Sequence, residues 1–121
     1  MSKYQPITAR DGWFKGEDKQ HVFDITDAGG SPQTMTGWTL DWVLRRGHGA
    51  ADVVLSVADS DVSVAIGNGD GTDDRATVSI NDTGTDGLAA GEYVYALKRT
   101  DAGFEQILVY GPALLQAIAA R

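Results

Sequence analysis

The sequence predicts an all-β fold, an antiparallel Ig-like β-sandwich of about seven to eight strands with a short C-terminal extension. Three observations predict it. Apolar residues recur at every second position along most of the chain, and Gly/Asp turns interrupt these runs roughly every ten residues. Fifteen glycines stand against only three prolines, which suits many tight turns rather than a disordered linker. Short strands at even spacing are the pattern of a sandwich or barrel.

The elements follow in chain order. Phe23 and Ile25 point one way while Val22 and Asp24 point the other, and Asp27-Ala28-Gly29-Gly30 supplies left-handed positions for a tight hairpin. Trp38, Leu40, Trp42 and Leu44 alternate with Thr39, Asp41, Val43 and Arg45, so both tryptophans and both leucines share one strand face. That face is most simply core, being too uniformly apolar for a carbohydrate platform. The turn Arg46-Gly47-His48-Gly49 ends this strand. Val53, Leu55 and Val57 form the next, then Val62, Val64 and Ile66, and then Ala76, Val78 and Ile80. The glycine-rich stretch 67–71 must be a loop. Residues 82–90 read as a loop with one helical turn, with Leu88 tucked under a sheet edge. Tyr93, Tyr95 and Leu97 alternate again, and Asp101-Ala102-Gly103 joins this strand to the weaker pattern of 104–110 as a hairpin. The apolar stretch 112–121 is either a continuation of the last strand past Pro112 or a short helix.

The chain has 121 residues, the size of one domain, with residues 1–5 and 112–121 as candidate assembly arms. No run of about 18 apolar residues is present, so no membrane span is expected. The N-terminus lacks the apolar stretch of a signal peptide. With no cysteine there is neither a disulfide nor a thiolate site. Acidic residues outnumber basic ones 17 to 10 for a net charge of −7, which argues against nucleic acid as a partner. From Asp52 to Glu92, nine acidic residues face Arg75 alone, whereas six of the ten aromatics lie in the first 42 residues.

Catalytic chemistry is hard to assemble from these residues. His21 sits in a strand and His48 in a glycine turn, no G-x-S-x-G occurs, and most aspartates fall in solvated turns. The chain is therefore expected not to be an enzyme and to need no cofactor. The best local ligand candidate is the set Asn68, Asp70, Asp73 and Asp74, oxygen groups spaced along a glycine loop as calcium requires. It lacks the bidentate glutamate of an EF-hand loop, and the simpler reading is a long hairpin turn. No lysine follows the glycines, so a phosphate cradle fails. Contact residues are sought among Trp13 and Phe14, which cap the sandwich or face a partner, and the basic pair Arg45 and Arg46, which is either a solvated strand end or a contact for an acidic partner such as a second copy. Leu114, Leu115 and Ile118 join them from the apolar terminus, which either docks on its own domain or packs against a neighbouring subunit, because monomers seldom leave such a patch in water.

A succession of segments carries a resemblance. Ile7-Thr8-Ala9-Arg10-Asp11-Gly12 is followed by residues 23–30, then Met35-Thr36-Gly37-Trp38-Thr39-Leu40 and Trp42-Val43-Leu44-Arg45-Arg46. Residues 88–103 then carry the pattern L-x-x-G-x-Y-x-Y-x-L-x-R-x-D, and Leu108-Val109-Tyr110-Gly111 closes the series. Over residues 5–115 this resembles the small β-sandwich structural proteins of tailed bacteriophages, closest to the N-terminal module of baseplate upper proteins and related head or tail virion proteins. The longer relatives continue into a coiled coil or a receptor-binding region, whereas this sequence stops at Arg121.

The resemblance implies a non-enzymatic virion component, a head decoration, neck or tail/baseplate accessory subunit made in the host bacterial cytoplasm. Its partners would be other virion proteins and copies of itself, met through strand edges and terminal segments. It transfers no catalytic or ligand-binding residues. The competing expectation is an Ig-like adhesion module that uses its acidic loops with calcium or a glycan.

Overall fold

The computed structural model describes residues 2–46 and 53–117. The alternating runs become eight strands among the described residues: β1 (Lys3–Tyr4), β2 (Lys19–Asp24), β3 (Leu40–Arg45), β4 (Val53–Ser56), β5 (Val62–Gly67), β6 (Arg75–Ile80), β7 (Gly91–Arg99) and β8 (Gln106–Leu115). A single 3-10 turn (Ala9–Asp11) and a five-residue helix, α1 (Asp82–Asp86), complete the elements. The strands form two sheets, ordered β1-β8-β7-β3-β4 and β2-β6-β5. All named pairings are antiparallel except β1 with β8. The fold is an antiparallel β-sandwich, as the period-two pattern predicts.

This strand order is the immunoglobulin arrangement. Strands β2-β6-β5 take the places of B, E and D, and β8-β7-β3-β4 those of G, F, C and C′. Two side chains sit where that arrangement puts them. Trp42, the buried tryptophan of the C-position strand, has no exposed surface. Tyr93, near the start of β7, donates its hydroxyl to the carbonyl of Ala89, four residues upstream, at 2.6 Å. That bond is the tyrosine corner of such domains.

Many immunoglobulin domains join their B and F strands with a disulfide, which this chain cannot do without cysteine. Phe23 of β2 stacks instead on Tyr95 of β7, ring centroids 5.6 Å apart, and Tyr95 meets Trp42 at 6.0 Å. The stack continues into His21, parallel to Trp42 at 6.2 Å, and Trp13, edge-on to both. Aromatic pairs in these geometries add about 0.5–1.5 kcal/mol each beyond the area they bury. Met35, Leu44, Leu97, Val109 and Leu115 pack around this column.

The N-terminal segment is a strap rather than a free arm. After β1 it runs parallel along β8, with the amides of Gln5 and Ile7 donating to the carbonyls of Tyr110 and Pro112. A 3-10 turn interrupts it, closed by a capping box between Thr8 and Asp11. It then resumes at Trp13, whose carbonyl accepts from Gln116. The turn lets the strap dip and drive Trp13 into the top of the core. Residues 112–115 are likewise strand, Ala113 and Leu115 being fully buried, so Pro112 does not end β8 and this part of the tail is core.

Trp38 departs from its expected face. It precedes β3, is only half-buried, and carries the Arg99 guanidinium over its ring at 4.0 Å. The turn at Asp27–Gly30 forms, with the Gly30 amide donating to the Asp27 carbonyl, but only the single bridge Thr26–Pro32 flanks it.

Two outcomes follow. His21 is held neutral in the column: burial, helped by Lys19 and only partly opposed by Asp11, lowers its pKa from 6.5 to about 4. Its Nε2 has no partner, so the imidazolium, which carries an N–H on both nitrogens, would leave one buried and unpaired. The folded pKa lies below the unfolded one, so this stability is complete above pH 6.5 and is lost as pH falls toward 4. The loss is about 3 kcal/mol, and His21→Leu should flatten it in urea unfolding curves recorded across that window. Tyr93→Phe should cost about 1 kcal/mol in the same measurement, the net worth of one hydrogen bond.

Candidate functional site

The glycine loop between β5 and β6 is where the sequence concentrates oxygen ligands, and the structure shows what they hold. Asp74 is buried, and its carboxylate accepts from the amides of Gly69 at 2.7 Å and Asp70 at 3.2 Å. Hydrogen bonds from the Gly69 and Gly71 amides pull its pKa below the usual carboxylate value against the cost of burial. Asn68 Oδ1 accepts from the Asp73 amide at 2.8 Å, and Asp73 Oδ2 accepts from the Thr36 hydroxyl at 2.6 Å. Asp73 sits in the left-handed region at φ 51°, which aspartate tolerates better than most residues.

The loop is thus closed around its own carboxylate. Gly69 lies against Asp24: a Cβ there would stand 2.6 Å from Asp24 Oδ1, and that carboxylate would have to move. Asp24 in turn takes a bidentate ion pair from Arg75, at 2.7 and 3.1 Å. Backbone bonds from Ile25 to Asp74 and from Met35 to Asp73 tie the loop to the chain beyond β2. Among the described residues no group of three or more acidic or histidine side chains is placed to hold a metal ion. Of the four calcium candidates, Asn68 and Asp74 accept hydrogen bonds from loop amides and Asp73 accepts one from Thr36, while the exposed Asp70 is near enough to Arg75 to add to the rise in its pKa that Asp24 causes.

The expected contact residues separate. Trp13 is a correction, because it is fully buried and packs on His21 and Trp42 instead of facing a partner. Leu115 is another, since it belongs to the core. Phe14 and Leu114 are half-buried, beside the strap and on β8. Ile118 and His48 lie outside the described residues. Arg45 ends β3 on the face turned away from the core, and the exposed Arg46 follows it.

Sequence reasoning missed the aromatic content of that outer face. Tyr4 and Tyr110 are opposite each other in β1 and β8, 59% and 43% exposed, with rings edge-to-face at 5.6 Å. The signal was obscured because β8 bulges at Leu108, where the register slips between Leu97 and Lys98 of its partner. Phe104, exposed at the hairpin, shares the Arg99 guanidinium with Trp38.

The engaged carboxylates predict two results. Asp74→Ala should lower the thermal unfolding midpoint, because it strands buried amides, while Asp70→Ala leaves it unchanged. Calorimetric titration with millimolar calcium should give no binding heat.

Comparison of the chain with models of known protein families and with curated proteins finds no match for either.

Proposed function

We propose that this chain is a non-enzymatic structural subunit of a tailed-phage virion, a head decoration, neck or tail/baseplate accessory protein assembling with copies of itself and with other virion proteins. The observation that supports an assembling subunit is the edge strand β5. Its sequence, VSVAIG, has six residues with no charge and no proline, and it pairs on one side only, with β6. Natural proteins usually blunt such edges with charges, prolines, bulges or brevity.

Among the described residues the other three sheet edges are blunted. β2 begins with Lys19 and ends with Asp24, β1 has two residues, and β4 has four beside a register shift. An unprotected strand offers backbone donors and acceptors to a partner strand, the arrangement of β-augmentation. The resemblance over residues 5–115 supplies the phage context, and the acidic composition is in keeping with protein partners rather than nucleic acid.

The adhesion reading gains no comparable support, because three of its four candidate residues already accept hydrogen bonds, Asn68 and Asp74 from loop amides and Asp73 from Thr36. Removing residues 112–121 is a poor assay of assembly, since it deletes Ala113 and Leu115 from the core. The informative variant is Ala65→Lys, which places a charge on the exposed side of β5. Quantitative mass spectrometry of purified particles should find the wild-type chain at many copies and the variant reduced about tenfold, with unchanged thermal stability. Particles without the wild-type chain, or with both chains at equal level, would overturn the proposal.

A further inference from the structure

The outer face of the five-stranded sheet carries a groove of about 560 Å³. Strand register builds it. Tyr4, Tyr110, Ala96 and Val43 lie in one row across β1, β8, β7 and β3, and Pro112, Val94 and Arg45 lie in the next. Ala96 and Val43 point away from the core yet are 8% and 3% exposed, which makes a small apolar floor. The two tyrosines wall one end, and Arg45 and Arg46 stand at the other, with Glu92 the acidic residue lining it.

The basic end is uncompensated. Arg45 Nε is buried without a hydrogen-bond partner. Among the described residues neither Arg45 nor Arg46 forms an ion pair, whereas Arg75 and Arg99 are bound to Asp24 and Asp101. An exposed Arg46 without an ion pair, in one groove with exposed tyrosines, is the chemistry of a protein contact, since Tyr and Arg dominate interface energetics. Its complement is carboxylate, in a chain carrying 17 acidic residues.

We propose that this groove receives the β5–β6 loop of a second copy of the chain, with the exposed Asp70 directed at Arg45 and Arg46. The loop is a hairpin tip that its buried Asp74 makes rigid, so little ordering cost is incurred on docking. Loop and groove belong to different sheets, so one molecule engages two neighbours head to tail. Such a heterologous contact closes into a ring or propagates as a filament. The proposal rests on the multi-copy assembly reading and specifies the surfaces used.

Sedimentation of the purified full-length chain tests it without any particle. The wild-type chain should self-associate with rising concentration, and Arg46→Glu or Asp70→Arg should each weaken that association about tenfold or more. Both positions are exposed, so circular dichroism and thermal midpoint should not change. The double variant R46E/D70R should recover association, as should an equimolar mixture of the two single variants. A wild-type chain that stays monomeric at high micromolar concentration overturns the proposal. So does association indifferent to both single variants, association abolished by Ala65→Lys instead, or failure of the charge swap to rescue it. Charge-switched association by a chain absent from particles would defeat only the virion reading. Particle incorporation without self-association would defeat only this one.

Discussion

Everything in this molecule depends on one contact between its sheets: the stack of Phe23 on Tyr95, extended by Trp42, His21 and Trp13. Two sheets in a sandwich are joined by the side chains between them and by the turns at their ends. A disulfide between the B- and F-position strands would restrict the unfolded chain and hold the sheets together. With no cysteine, the same place is taken by large rings whose burial and edge geometry do the joining. Wherever the chain is made, its fold needs no oxidant.

The column also explains the N-terminal strap. Trp13 is fully buried and completes the column against His21 and Trp42. To get there the chain follows β8 in parallel, turns once through Ala9–Asp11, and resumes beyond Gly12. The Gly16 amide then donates to the buried Thr85 hydroxyl at 2.8 Å, locking the strap to α1. Placing a histidine among the rings ties stability to its neutral form. This acid sensitivity lies at higher pH than that of the depressed carboxylates Asp24, Asp74 and Asp101, whose contribution is lost only below their ordinary pKa of 3.8.

The molecule's surfaces divide its charges in an orderly way. Aspartates that look like ligands serve as loop closures, with Asp74, Asp73 and Asp27 each accepting a hydrogen bond inside its own turn region or from an adjoining segment. Two arginines are neutralised locally. What remains uncommitted among the described residues is a bare strand edge on one sheet and a groove with exposed tyrosines and arginine on the other. The two surfaces are independent, so a subunit using both would contact more than one neighbour.

Period-two alternation by itself determined the class of fold, the position of most strands and the hairpin at Asp101–Gly103, because a half-buried strand needs one apolar face and sequence records that need directly. It also identified Trp42 and Leu44 as core. Tertiary structure decided what alternation cannot encode. Trp13 reads equally as a cap or a contact residue until the strap is seen to carry it inward, and Leu115 as part of a terminus docked on its own domain or on a neighbour until β8 is seen to run through Pro112. The apparent calcium loop has the right oxygens, but whether a carboxylate faces a cation or its own backbone amides depends on how the chain turns through Gly69. Tyr4 and Tyr110 lie 106 residues apart and meet only because β1 pairs in parallel with β8. Local pattern reports which face of an element is apolar; which distant element covers that face is settled only when the chain closes on itself.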